Sequence, residues 1–200
     1  MKKKFIATVV AAILSASTRL LATGLGPQIN FDWGYAINPK SGISGAFDYT
    51  TNFALSAKFD SLPIYWAFSF GFGPVTVYDT IDMFNVPISS NVNAYLIRLA
   101  TTADYWVMNP QIVNLWHWYW GFGGFASMGF TTKGGNIYLD IGPRALIGFN
   151  WYFIDGAIEL FAQQVFQPMM RFVFGKEGTN NGIFRIPLHF PIEIGCRFYF

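Results

Sequence analysis

Two hundred residues form one domain by length, but the composition fits neither an ordinary soluble domain nor a helical membrane protein. Apolar residues make up 52%, aromatics 20% and charged residues 12%; soluble domains carry roughly 25% charged residues, yet past the N-terminus no run reaches the ~18 apolar residues of a membrane helix. The net charge of +2, with no basic cluster beyond residues 2–4, gives no support to nucleic-acid binding, and the single cysteine, Cys196, excludes an intrachain disulfide or a cysteine metal cluster.

The chain opens MKKKFIATVVAAILSAS. Three lysines, an apolar stretch too short to span a bilayer, and small residues are the layout of a cleavable secretory signal, expected over residues 1–22 with the cut between 17 and 24. The alternative is an uncleaved anchor. No cysteine stands near the cut, so a lipid-anchored N-terminus is not expected.

From there to residue 200 the dominant signal is a period of two, the mark of strands with two unlike faces. Over residues 27–38, Ile29, Phe31, Trp33, Tyr35 and Ile37 oppose Asn30, Asp32, Gly34 and Ala36. The second strand, 46–60, sets Phe53, Leu55 and Phe59 against Ala54, Ser56 and Lys58. The third is strict, with Ile64, Trp66, Phe68, Phe70 and Phe72 against Tyr65, Ala67, Ser69 and Gly71. Residues 73–91 read as the longest loop, with some local structure. The fourth strand, 92–105, is less regular, and Arg98 and Asp104 share a parity with Leu96 and Ala100. The fifth, 113–128, places Trp116, Trp118, Trp120 and Phe122 opposite His117, Tyr119, Gly121 and Gly123. The sixth sets Ile137, Leu139, Ile141, Ile147 and Phe149 against Tyr138, Asp140, Gly142, Arg144 and Asn150, with Pro143 and Leu146 as exceptions. Asp155-Gly156 makes a turn. The seventh strand, 157–173, loses phase near Gln164, where a bulge is expected. Residues 175–182, GKEGTNNG, are the most polar piece and read as a solvated loop.

The last strand is the clearest. From Phe184 to Phe200 every second residue is apolar, against Arg185, Pro187, His189, Pro191, Glu193, Gly195, Arg197 and Tyr199. Pro187 and Pro191 each remove a ladder donor and call for a bulge or a projecting end. The pattern predicts an all-β fold, an eight-stranded antiparallel transmembrane β-barrel over residues 23–200 following the signal, with ten strands possible but cramped. Links near residue 61, 106–111 and 151–156 are shorter than those at 39–45, 74–91, 129–136 and 174–182, as periplasmic turns and external loops are. The polar face is mostly Gly, Ala and Ser, which suits the narrow interior of a small barrel better than the watered face of a soluble sheet. Trp116, Trp118, Trp151 and Tyr152 are candidates for an interfacial aromatic girdle.

An aromatic, two-faced final strand ending on Phe200 resembles the closing strand of bacterial outer-membrane β-barrels. The whole chain is similar to the small barrels of the OmpA, OmpX and OmpW type, and to spirochaetal barrels through GPQINF, IELF and IGCRFYF. The resemblance implies residence in the outer membrane, in contact with its lipid. It also implies insertion by the barrel-assembly machinery, with Phe198 and Phe200 as its recognition signal.

Eight charged residues fall on the inner parity: Asp32, Lys58, Arg98, Asp140, Arg144, Glu159, Glu193 and Arg197. In a narrow interior they must pair or be hydrated, as a rigidifying salt-bridge network or as a selectivity element. His117 and His189 are the only histidines. His189 shares a face with Glu193, but no spacing matches a nucleophile motif or a metal site. The expectation is a non-enzymatic integral barrel without cofactor or metal, in a structural or surface-binding role for an unidentified external ligand. Alternatives are a narrow channel for small, even hydrophobic, molecules and, less favoured, a lipid-modifying enzyme.

Overall fold

The computed structural model describes residues 22–38, 42–59, 62–77, 80–81, 87–88, 92–175 and 184–200. Nearly all of the predicted signal and most of the polar 175–182 loop lie outside the described residues. Thirteen strands follow in order: β1 (Ala22–Asn38), β2 (Gly42–Phe59), β3 (Leu62–Val77), β4 (Thr80–Ile81), β5 (Pro87–Ile88), β6 (Val92–Met108), β7 (Gln111–Val113), β8 (Trp116–Thr131), β9 (Ile137–Phe153), β10 (Ile158–Pro168), β11 (Met170–Phe174), β12 (Phe184–His189) and β13 (Ile192–Tyr199). None of the described residues is helical.

Eleven strands form one antiparallel sheet that closes on itself, because β1 pairs with β2 on one side and with β12 and β13 on the other. The register can be followed around the ring. Gly24 faces Lys58, then Tyr65, Asp104, Gly123 and Arg144. Next to Arg144, Ala145 faces Phe166, whose neighbour Gln167 faces His189, and His189 faces Gly34. One circuit therefore returns to β1 ten residues beyond its start. Such a stagger tilts the strands and leaves no free edge.

Eight strands were expected and the sheet has eleven. Two of the expected strands are each interrupted, at Met169 between β10 and β11 and at Phe190-Pro191 between β12 and β13, and the short β7 adds a hairpin to β8. The interruptions have one cause. Pro168 ends β10, and by the flanking pairs Ala145–Phe166 and Ile141–Met170 it falls opposite Pro143. With Pro187 and Pro191 on the next segments, one sector of the wall lacks four ladder donors. Acceptors in that sector are still used: Pro187 O takes Met169 N at 3.0 Å, Pro191 O takes Val165 N at 2.9 Å, and Phe190 N reaches Trp33 O at 2.8 Å.

The bulge expected at Gln164 does not occur. Alternation runs unbroken from Glu159 to Val173, with Phe161, Val165, Met169 and Val173 buried inside. Leu146 and Pro143 likewise keep the phase, Leu146 inside and Pro143 outside. Leu96 is buried on the inner face with Arg98 and Asp104, which resolves the fourth strand. Tyr152 shares the inner face with its register partner Glu159, rather than standing in an outer girdle. Of the link expected to be long at 39–45, residues 42–45 belong to β2, which begins earlier than expected, and 39–41 lie outside the described residues. Likewise β3 continues to Val77, and the small β4–β5 ladder supplies the local structure expected in the 73–91 stretch. The predicted turn at Asp155-Gly156 is closed by Gly156 N on Phe153 O at 3.1 Å. Ile154 and Asp155 have φ of 52° and 54° there, the signs of a type I′ turn, whose twist suits a hairpin.

Candidate functional site

Because alternate residues of every long strand point inward, the ring collects its polar side chains in one narrow interior. Among the described residues, the buried charges comprise five carboxylates (Asp32, Asp104, Asp140, Glu159, Glu193) and five guanidiniums (Arg98, Arg144, Arg171, Arg185, Arg197). They stack in tiers along the ring axis.

At the end where β1 begins, Glu159 and Arg197 face each other across β10 and β13 and pair at 2.9 Å. Asn150 Nδ2 donates to Glu159 at 2.7 Å and Tyr199 Oη at 2.5 Å, while Arg197 Nε donates to Ser56 at 2.8 Å. The Arg197 guanidinium also lies 3.9 Å from the Phe161 ring centroid and 4.7 Å from that of Tyr65, where ring quadrupoles favour a cation. Beside it Tyr65, Trp106 and Tyr119 form a three-ring stack, with centroid separations of 3.8 and 3.5 Å. Lys58, half-buried at this rim, has its ammonium 5.4 Å from the Tyr65 ring and 5.5 Å from that of Tyr199.

The middle tier centres on Arg144. It pairs with Asp104 at 2.9 Å and with Glu193 at 2.8 Å. The second oxygen of Glu193 accepts from Gln163 at 2.5 Å and Gln28 at 3.1 Å, and Gln163 in turn accepts from Tyr119 Oη at 2.9 Å. Above it, Asp32 uses one oxygen for Arg98 at 2.5 Å and the other for His189 Nδ1 at 2.7 Å. The last tier is the two-pronged Arg171–Asp140 pair, 2.8 and 3.1 Å, with Ser127 Oγ donating to Asp140 at 3.2 Å. Beyond it Val75, Ala94, Leu96, Tyr138 and Val173 form an apolar cluster.

All eight predicted interior charges thus lie at inward positions, and seven of them are fully buried. Sequence reasoning missed Asp104, Arg171 and Arg185 as members. Carrying the parity of Glu159 forward without a bulge would have placed Arg171, and the parity of Arg98 would have placed Asp104. His189 serves Asp32, while Glu193 serves Arg144, so the two do not act together. His117 lies apart, at the start of β8, with Nδ1 3.3 Å from Leu115 O. Among the described residues no group of three His, Cys, Asp or Glu side chains could hold a metal ion.

The interior fits because large inward side chains face glycine. Tyr119 lies directly opposite Gly148, and Phe161 opposite Gly195. A methyl group at Gly148 would come within 2.6 Å of the Tyr119 ring, and one at Gly195 within 2.5 Å of Phe161. Gly195→Val is expected to displace Phe161 from Arg197 and destabilise by roughly 1–3 kcal/mol, the cost of overpacking, read from urea unfolding of the refolded protein. An unchanged midpoint would mean that the ring does not fill this space. Among the described residues, voids of about 10 Å³ lie beside Arg197 and Asp104 and beside Asp32 and Arg98. Each has room for about a single water.

The outer face is the inverse. Phe53, Phe68, Phe72, Phe122, Ile147 and Ile194 are at least half exposed. Gln164 is a polar side chain on that face. Its amide nitrogen folds back onto backbone carbonyls, Phe190 O and Pro191 O at 3.1 Å and Val165 O at 3.2 Å, across the proline interruption. Gln164→Leu makes the face more apolar, yet should destabilise by ~1–3 kcal/mol, because an orphaned carbonyl there costs more than the amide does. A gain in the urea midpoint would contradict that role.

No protein-family profile matches the sequence, and no curated protein matches it either. Solved structures align with most of the chain. A major outer membrane protein of Thermus thermophilus superposes with a TM-score of 0.42 at 10% identity, over 88% of this chain and 99% of that one. Ail, the attachment invasion locus protein of Yersinia pestis, gives 0.35 at 8% identity, over 90% and 100%. The outer membrane protease OmpT of Escherichia coli gives 0.30 at 9%, over 90% and 98%. These three solved structures are of outer-membrane β-barrel proteins.

Proposed function

We propose that the chain is an integral outer-membrane barrel of eight crossings whose interior is a closed, ion-paired plug, and that it works by its presence and its surface rather than by transport or catalysis. β10 with β11, and β12 with β13, each count as one crossing, since neither interruption shifts the register: β1 pairs with β13 and β12 in one continuous frame. The short β7 belongs to a turn.

The observation that carries this reading is the inversion of the usual arrangement, with paired charges inside and phenylalanines outside. Exposed aromatics with a polar handle support it. Tyr95 and Tyr105 both face outward, ten residues apart on β6. With a strand rise of about 3.3 Å and a tilt of 35–45°, they stand ~25 Å apart along the axis, the height of the apolar band of such barrels. Tyr49 belongs with Tyr95, and Trp116 and Trp120 with Tyr105, giving an aromatic ring at each interface. Phe198 and Phe200, both outward-facing, are the contacts proposed for the insertion machinery.

A plug is favoured over a channel because the buried carboxylates are tied to guanidiniums across the interior, as Arg98–Asp32, Arg144–Asp104, Arg144–Glu193, Arg171–Asp140 and Arg197–Glu159, and the voids beside them have room for about a single water each. Refolded into lipid vesicles, the protein should run as a heat-modifiable band and pass no ions in planar-bilayer recording. Sustained conductance steps from the unmodified protein would replace the plug with the narrow-channel reading. Failure to partition into vesicles would remove the membrane reading altogether.

A further inference from the structure

We propose that the proline-interrupted sector of the wall holds one acyl chain of a membrane lipid in a groove on its outer face; the inference rests on the membrane reading above. The groove, about 450 Å³, is lined by Trp33, Ala145, Ile147, Gln164, Phe166 and Phe190. The groove is open along its outer side, as a site filled from the bilayer would be, whereas contact between lipid and a regular barrel wall needs no concavity.

Its origin is local. Where the ladder lapses, the Phe190 ring packs against Trp33 and Phe166, with ring centroids 5.3 and 5.6 Å apart. Across the seam Ala145 contributes only a methyl group, so a trough remains between that aromatic bank and Ile147. No charged residue lines it. Its one polar side chain, Gln164, has its amide nitrogen committed to the carbonyls of the interruption, so the surface offered is hydrocarbon and aromatic ring. The occupant matching this chemistry is an alkyl chain. The source is the bilayer, because the trough is continuous with the exposed apolar wall and lies near mid-strand, Ala145 standing at the centre of β9. A soluble amphiphile would have to cross the interface to reach it.

The test uses the full chain refolded in phospholipid vesicles that contain a small fraction of phosphatidylcholine bearing a mid-chain diazirine. After irradiation, cross-links are mapped by mass spectrometry, with Phe68 and Phe70 on β3 as controls that meet lipid on an ungrooved wall. Labelling at Ala145, Phe166 and Phe190 should exceed the controls several-fold and should persist when the probe is diluted with unlabelled lipid. Ala145→Phe fills the trough and should bring labelling there down to the control level while leaving Phe68 and Phe70 unchanged. Should that variant not refold, Ala145→Leu takes its place under the same criterion. Equal labelling of groove and control positions in the unmodified protein, or enrichment that survives the filling, would overturn the site and leave the membrane reading intact. No labelling at either position would sink the membrane reading instead.

Discussion

Arg144→Leu should lower the stability of the refolded protein by on the order of 3–5 kcal/mol, the penalty for breaking a buried ionic group by removing one member. The size follows from what the guanidinium separates. Asp104 and Glu193 both reach it within 3 Å, from β6 and β13, and without it two carboxylates are left buried together. Arg144→Lys should recover little, since an ammonium cannot present the planar fork that meets two carboxylates at once. Neutralising the group together, as Arg144→Leu with Asp104→Asn and Glu193→Gln, should restore most of the loss, because no uncompensated charge then remains. Urea unfolding in lipid vesicles reads all three. Planar-bilayer recording of Arg144→Leu adds a second axis, since loosening the middle tier is expected to admit ions. If the single variant unfolds at the parental urea concentration and stays silent, Arg144 is not enclosed as described.

A charge on the opposite face should be penalised for a different reason. Phe68 is 58% exposed, near the middle of β3, and Phe68→Arg should cost about 2–4 kcal/mol in lipid, as cations do near the midplane of a barrel's outer surface. Ile112→Arg, in the exposed hairpin of β7 and β8, should cost only ~0–1 kcal/mol, as at an interface. The two values together act as a depth gauge. A soluble sheet would reverse the expectation, since an arginine replacing an exposed phenylalanine would leave stability unchanged and raise solubility. Equal, negligible costs at both positions would remove the bilayer from the account.

The fold was legible where polarity and face coincide. Along residues 64–72, 137–150 and 184–200 a period of two is visible because the inward residues are small or charged and the outward ones bulky. Difficulty arose where the interior itself is apolar. Phe161, Val165, Met169 and Val173 point inward beside polar neighbours such as Gln164 that point outward, so reading polarity as face produced a bulge that is not there. The same confusion made Leu146 an exception. The membership of the charged interior could be read almost completely from parity. Its pairing could not, because Arg144 meets Asp104 and Glu193 only once the register of several strands and the closing of the ring are known. Nor did the sequence indicate that Pro168 falls opposite Pro143, which is what turns isolated prolines into one weakened sector.

The interior bonds also say something about the order of events during assembly. Gln28 reaches Glu193 over 165 residues of sequence, His189 reaches Asp32 over 157, and Arg197 reaches Ser56 over 141. Each joins the first third of the chain to its last strands, so no partial sheet, however long, can make them. Until the first and last segments meet, these charged and amide groups must stay hydrated, and a half-built wall would carry them against lipid unpaired. Contacts so remote in sequence slow the search for the native state. They also make its final step steep, since desolvation, ion pairing and edge removal all occur at one seam. A chain built this way should show few stable intermediates inside the bilayer and one late, cooperative commitment, with its polar core drying only at the moment of closure.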